Sequence, residues 1–118
     1  MGSKITEGKM NVKKINGQQL KGMLAKKRGQ FVAIFSTSWC GYCRALKKEI
    51  EAATLDFTII EVDISDESDS SWGKFEINLV PTAILFKDGR EVARKPPSPD
   101  GLRLKELREL VGRRSGSP

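Results

Sequence analysis

The stretch FVAIFSTSWCGYC, residues 31–43, joins an uninterrupted apolar run to two cysteines, Cys40 and Cys43. Such a run is typical of a strand that is buried on both faces. The good helix formers from Arg44 to Ala53 predict that a helix follows the cysteines. The cysteine pair therefore lies where a buried strand passes into a helix.

Two cysteines at this junction favour redox chemistry. Their i, i+3 spacing puts both sulfurs on one face of the helix start, close enough to bridge. The free N–H groups and the dipole of a helix start favour a thiolate. We expect Cys40, at the N-cap, to be exposed and to attack a disulfide, and Cys43, one turn further in, to be more buried and to resolve the mixed disulfide. The alternative is that both are ordinary buried residues, which leaves their place after a strand unexplained.

On either side of this stretch, the sequence predicts the element order β-α-β-α-β-α-β-β-α. The predicted strands are Val12–Ile15, Phe31–Phe35, Phe57–Ile64, Ala83–Phe86 and Glu91–Ala93, and the predicted helices are Gly17–Arg28, Arg44–Ala53, a short one from about Asp66 to Phe75, and Leu102–Val111. Asp88-Gly89 is a strong hairpin signal between the last two strands. The order predicts one α/β domain with helices on both faces of a mixed sheet. We place a flexible segment at residues 1–10, the domain at 11–112 and a disordered tail at 113–118.

Composition excludes several classes of function. The chain has 118 residues with a net charge of +6, and this charge is uneven: +7 over residues 1–30, +1 over 31–55, −6 over 56–76 and +4 over 77–118. Most of its basic residues are lysines, which lie between apolar positions without a nucleic-acid-binding signature, so we expect no nucleic-acid partner. Two cysteines and no histidine cannot supply the four ligands of a structural zinc site, and no metal or cofactor is expected.

The same composition bears on location. No apolar run is long enough to span a membrane, and the polar, lysine-rich N-terminal region lacks a secretory signal. We therefore expect a cytoplasmic protein with no membrane partner. A small, charged domain of this kind is most simply a monomer.

Two motifs together resemble those of the thioredoxin family. WCGYC, residues 39–43, is similar to the thioredoxin active-site motif, which is usually Trp-Cys-Gly-Pro-Cys. Val80-Pro81-Thr82, before a predicted strand, resembles the cis-proline segment of that family. The resemblance covers roughly residues 11–112 and implies the thioredoxin fold, a central mixed β-sheet flanked by helices on both faces.

The resemblance also implies an activity. It implies a thiol–disulfide oxidoreductase that acts on protein thiols and disulfides through a reversible Cys40–Cys43 couple. An external reductase or thiol donor would regenerate the pair, and no bound cofactor is needed because the sulfurs carry the electrons. Glutaredoxins share a Cys-x-Tyr-Cys pattern, so a glutathione-linked oxidoreductase is one alternative, although their Gly-Gly-Asp segment is absent here. A non-catalytic binding module with the same fold is the other.

Residues around the pair take supporting roles by the same resemblance. Pro81 would be cis and pack against the cysteines, with a surface that discourages metal capture. The backbone of Val80 would pair with an extended substrate segment, in the manner of strand addition. Trp39 would shape the docking surface. The supporting set, carried over residue by residue, is Trp39, Gly41, Tyr42, Val80, Pro81 and Thr82.

The sequence departs from the family pattern near the second cysteine. Thioredoxins have a buried aspartate five residues before the motif tryptophan, and that position is Ile34 here. The lysine that usually neighbours this aspartate corresponds to Glu61. Our hypothesis is that Glu61 supplies the missing carboxylate from the opposite strand, through a water, as the proton acceptor for Cys43. The alternative is a solvent-facing strand residue.

Two further departures concern the rim of the site. Tyr42 replaces the usual proline and keeps a backbone N–H that can donate to the Cys40 sulfur, which predicts a more oxidising disulfide than that of a typical thioredoxin. Pro96-Pro97 stands where thioredoxins usually have a glycine that lets the substrate backbone approach. The two prolines predict a stiffer and bulkier rim there.

Overall fold

The computed structural model describes residues 12–26 and 29–116. The strands are β1 (Val12–Asn16), β2 (Gln30–Ser36), β3 (Ile59–Asp63), β4 (Thr82–Lys87) and β5 (Arg90–Lys95), and the helices are α1 (Gly17–Lys26), α2 (Gly41–Glu51), α3 (Ser71–Lys74) and α4 (Leu104–Gly116). The predicted element order is confirmed. The flexible segment predicted at residues 1–10 lies outside the described residues.

Two helix ends differ from the sequence predictions. α3 begins later than predicted because the carboxylates of Asp66 and Asp69 accept hydrogen bonds from the backbone N–H groups of Ser68 and Ser71, which stabilises turns instead. α4 continues to Gly116, so helical backbone extends into the segment predicted as a disordered tail. The domain boundaries themselves stay a prediction.

A five-stranded mixed sheet forms the centre of the molecule, in the order β1-β3-β2-β4-β5. β1 and β2 each run parallel to β3, whereas β4 is antiparallel to both β2 and β5. This register places Ile34 of β2 opposite Glu61 of β3, and Phe35 opposite Thr82 of β4. The end of the central strand β2 thus lies between β3, which carries Glu61, and β4, which begins at Thr82.

Helices cover both faces of this sheet, which explains the continuous apolar run of β2. Phe31, Ala33 and Phe35 belong to the cluster on the α1 and α3 side, whereas Val32 and Ile34 belong to the cluster beneath α2 and α4. Successive side chains of a strand point to opposite faces. Because both faces of β2 are covered, its successive residues from Phe31 to Phe35 are all apolar.

Candidate active site

The cysteine pair occupies the first turn of α2. β2 ends at Ser36, and a short connection leads to Cys40, the N-cap residue, whose backbone is extended (φ −99°, ψ 117°). The N–H of Cys43 donates a hydrogen bond to Cys40 Sγ at 3.1 Å. The helix begins at Gly41, before the apolar-periodic stretch predicted from Arg44 and directly after Cys40, the expected N-cap, so both thiols lie at its positive end.

The exposure expected for Cys40 is wrong. Cys40 is 9% exposed and Cys43 is 7% exposed, so burial hardly distinguishes them. The reason is tertiary, because Cys40 Sγ–H donates to the carbonyl oxygen of Val80 at 3.6 Å and the loop that carries Val80 covers the sulfur. What distinguishes the cysteines is their place in the helix.

Burial is the main cause that raises the pKa of the Cys43 thiol to about 12. The side chain of Cys40 and the negative charge of Glu61 contribute to the raised pKa, whereas a backbone hydrogen bond from Thr37 acts in the opposite direction. Cys43 is therefore a neutral thiol near pH 7, and it needs a proton acceptor before it can attack. This agrees with a role in the second step of a two-step exchange.

The segment from Leu79 to Thr82 lies directly against Cys40. The Val80–Pro81 peptide bond is cis, Pro81 is buried, and Val80 is half-buried. The hydroxyl of Thr82 donates to the carbonyl oxygen of Leu79 at 2.6 Å, which holds the segment in its bend. Tertiary structure thus brings the carbonyl group of Val80 to the sulfur, and Pro81 and Thr82 follow it in the same buried segment.

Exposed apolar side chains form a rim around this point. Trp39, Tyr42 and Leu79 are more than half exposed, an arrangement that suits contact with another protein. Leu79 was missed from the sequence, although its place just before the cis-proline segment was a usable signal. Pro96 lines a cleft together with Leu79 and Thr82.

Glu61 is half-buried beside Cys43, so the fully solvent-facing alternative is not what the structure has. Its side chain is 17% exposed and lies 3.7 Å from Lys47 Nζ. Ser36 Oγ–H donates to Glu61 Oε2 at 2.9 Å. Glu61, Ile34 and Cys43 line one cavity, and a second, solvent-open cleft reaches both Glu61 and Cys43.

Two partners of Glu61 were missed from the sequence. Lys47 lies at i+4 from Cys43 on α2, a spacing that puts both side chains on one helix face. Ser36 is the last residue of β2. The helix spacing was a usable signal for Lys47, whereas the Ser36 contact depends on the strand register.

Comparison with known proteins gives consistent matches. A family model described as Thioredoxin matches residues 11–108. The thioredoxin of Chlamydia trachomatis serovar D is 41% identical over 63 residues, which are 51% of this chain and 61% of that protein. The thioredoxin of Chlamydia pneumoniae is 38% identical over 85 residues, 70% of this chain and 81% of that protein.

A solved structure agrees with these sequence matches. The X-ray structure of Fasciola hepatica thioredoxin has a TM-score of 0.69 and 26% sequence identity, and the match covers 86% of this chain and 97% of that one. Of these three proteins, only that of Chlamydia trachomatis is matched over less than two thirds of its length. The mixed five-stranded sheet flanked by helices is therefore the thioredoxin fold.

Proposed function

The chain belongs to the thioredoxin family, and on that basis we propose that it is a thiol–disulfide oxidoreductase acting on protein disulfides through Cys40 and Cys43. The observation that carries the proposal is the hydrogen bond from Cys43 N–H to Cys40 Sγ at the start of α2. It holds the two sulfur-bearing residues together at the end of a helix that stabilises a thiolate.

The reaction is a pair of thiol–disulfide exchanges. The Cys40 thiolate attacks one sulfur of the substrate disulfide, forms a mixed disulfide and releases the other substrate sulfur as a thiolate, which takes up a proton. Cys43 then loses its proton and attacks Cys40 Sγ, which forms the Cys40–Cys43 disulfide and releases the second substrate thiolate. Two electrons pass to the substrate, and an external reductase or thiol donor returns them.

Substrate binding falls to the residues around Cys40. Val80 offers its backbone to an extended segment of the substrate, as in strand addition. Trp39 and Tyr42 provide apolar surface beside the sulfur, and both are exposed. Gly41, Pro81 and Thr82 complete the supporting set, and Pro81 and Thr82 are both buried.

Location and partners belong to the same proposal. Within the residues that the structure describes, no helix has the length and apolar character to cross a bilayer. We extend the proposal to a cytoplasmic monomer without nucleic-acid or membrane partners. A reducing compartment suits a dithiol that must be returned to its reduced form.

The redox equilibrium of the pair tests this function. We expect a reversible two-electron couple in graded dithiothreitol or glutathione buffers, read as a mass shift after thiol trapping. The midpoint should lie above about −270 mV, the value of thioredoxin. The expected cause is the backbone N–H of Tyr42, which proline lacks and which can donate to the Cys40 thiolate in addition to the Cys43 N–H. A pair that never closes, or never reopens, would contradict the proposal, and Cys43→Ala is the control for single-thiol mass shifts. A stable glutathione adduct on Cys40 would favour the glutathione-linked alternative.

We further propose that Glu61 is the proton acceptor for Cys43. The carboxylate is fixed by Ser36 and Lys47 and shares a cavity with the thiol. The cleft that opens to solvent at the same place would admit the water that carries the proton. A carboxylate on β3 would then do the work of the missing aspartate at position 34.

Glu61→Gln separates this role from a purely electrostatic one, because the two roles predict opposite changes in the rate at which Cys43 resolves the mixed disulfide. The charge of Glu61 raises the pKa of Cys43, so its loss alone should favour the Cys43 thiolate and speed resolution. Loss of a general base should instead slow resolution at pH 7 by about a hundredfold. We expect slowing, measured by single-turnover quench of a mixed disulfide on Cys40. Glu51→Gln, exposed on the same helix as Cys43, is the matched control, and an equal or faster rate for Glu61→Gln would refute the role.

A further inference from the structure

The segment between β5 and α4 is tied to α2 at two points. Near the start of α2, Tyr42 Oη–H donates to the carbonyl oxygen of Pro99 at 3.2 Å. Further along the helix, Glu49 accepts hydrogen bonds from the Arg103 guanidinium at 2.6 and 2.9 Å and from the Leu104 N–H at 2.9 Å. Tyr42 and Glu49 are two helical turns apart and so share one face of α2. The segment therefore supports that face at both ends.

Contact between Tyr42 and this segment depends on Gly101. A Cβ on Gly101 would lie 2.6 Å from Cδ1 and 2.8 Å from Cγ of the Tyr42 ring. Gly101 has φ +91°, a left-handed conformation that favours glycine independently of the ring. The aromatic ring can approach the backbone this closely only because no side chain intervenes.

Hydrogen bonds within the segment fix the position of Gly101. Ser98 N–H donates to Gly101 O at 3.0 Å, and Gly101 N–H donates to Ser98 O at 2.8 Å. The Ser98 hydroxyl also donates to Gly101 O, at 3.1 Å. The backbone that meets the ring is thus a closed turn, and the Tyr42 ring packs on a defined surface.

These contacts order an exposed side chain. Tyr42 remains 52% exposed beside Cys40, yet its hydroxyl and one side of its ring are already engaged by Pro99 and Gly101. Ordering a side chain on binding ordinarily costs affinity, and a side chain that is ordered beforehand avoids that cost. The site therefore presents a preordered aromatic surface next to the attacking sulfur.

We propose that Tyr42, held by Pro99 and Gly101, is a specificity-determining residue that binds an apolar side chain next to the substrate cysteine. Protein disulfides in extended, apolar segments gain this contact, whereas small polar disulfides such as oxidised glutathione do not. The inference rests on the proposed oxidoreductase function and names its substrate class. Trp39 and Leu79 extend the same apolar surface across the sulfur.

This inference can be tested with two disulfide-linked peptides. They differ by one residue beside the cysteine, which is Phe in one peptide and Ser in the other. We expect the wild type to prefer the Phe peptide in kcat/KM by about two- to tenfold, the range of a single aromatic contact. Tyr42→Ala should bring the ratio close to one, mainly through KM. Oxidised glutathione should behave like the Ser peptide in both proteins.

Gly101→Ala tests whether the segment, and not the ring alone, determines the preference. This variant keeps Tyr42 but displaces its ring. The ratio of kcat/KM for the Phe peptide to that for the Ser peptide should therefore fall to about half or less. Gly29→Ala is the matched control, because Gly29 also has a left-handed backbone (φ +76°) but its Cβ would meet nothing within 4 Å. In a Tyr42→Ala background, Gly101→Ala should leave the ratio unchanged. If Gly101→Ala fails to fold, Tyr42→Phe, which loses only the bond to Pro99, should lower the ratio part of the way.

The outcomes separate this inference from the proposed function. A wild type that reduces neither peptide contradicts the oxidoreductase function and the inference together. A wild type that reduces both peptides equally, or a Tyr42→Ala variant that keeps the preference, overturns the inference alone. A Gly101→Ala variant that folds and matches Gly29→Ala in its ratio also overturns it, since the segment would then have no role in positioning the ring.

Discussion

A Cys43→Ser variant should accumulate a stable mixed disulfide between Cys40 and its substrate, whereas Cys40→Ser should form none. Serine at position 43 leaves the attacking sulfur and its helix start in place but removes the sulfur that releases the product. Cys40→Ser removes the nucleophile itself, so turnover with a protein disulfide should fall by at least about a thousandfold.

Turnover of both variants can be measured with reduced insulin as the product and dithiothreitol as the electron donor, and the adduct is trapped in a separate single-turnover reaction without dithiothreitol. The adduct on Cys43→Ser should appear in intact-mass spectra at one substrate per protein and disappear on reduction. Serine is close in size to cysteine, and circular dichroism of both variants controls for folding. Turnover by Cys43→Ser at the wild-type rate would assign the resolving step to an external thiol, and an adduct on Cys43 in the Cys40→Ser variant would reverse the roles.

Phe35→Ala should lower the free energy of unfolding by about 3–5 kcal/mol, the usual cost of removing a buried aromatic ring. Phe35 is fully buried on the central strand β2, and its ring centroid lies 5.3 Å from that of Phe75. The next residue, Ser36, donates to Glu61, so relaxation into the cavity should also disturb Glu61, the proposed proton acceptor.

Urea denaturation followed by fluorescence gives this value from the shift of the midpoint at constant slope. Val92→Ala is the control, because Val92 is 41% exposed on the edge strand β5 and its truncation should change stability by no more than about 0.5 kcal/mol. A loss below about 1 kcal/mol for Phe35→Ala would mean that the packing between β2 and α3 contributes little to the fold.

Features that depend on neighbours in sequence were predictable. The apolar run of β2, the cysteines at i and i+3 and the Asp88-Gly89 turn each predict local structure through short-range geometry. The cysteine pair and the segment with Pro81 are therefore evident in the order of the amino acids alone. The element order predicts a mixed sheet with helices on both faces, and the resemblance of the two motifs to one family implies the thioredoxin fold, but the strand order was not predicted.

Features that depend on tertiary contacts were not predictable in this way. The expected exposure of Cys40 was wrong because Val80 lies forty residues away in sequence, and a helix-start pattern contains no information about that loop. The contact between Tyr42 and Gly101 and the ion pair between Glu61 and Lys47 likewise depend on the approach of separate elements. Sequence spacing indicates which residues share a face, whereas the sheet register determines what that face meets.

The close packing of Tyr42 on Gly101 also constrains how this protein can change over evolutionary time. The effect of a substitution at one of these positions depends on the residue at the other, which is epistasis between two sites far apart in sequence. A lineage that first acquires a side chain at position 101 displaces the aromatic ring. A lineage that first loses the ring can later accept that side chain without the steric clash between the two. The order of the two substitutions then decides which intermediates survive. The residue at position 42 thus limits which substitutions the loop before α4 can accept.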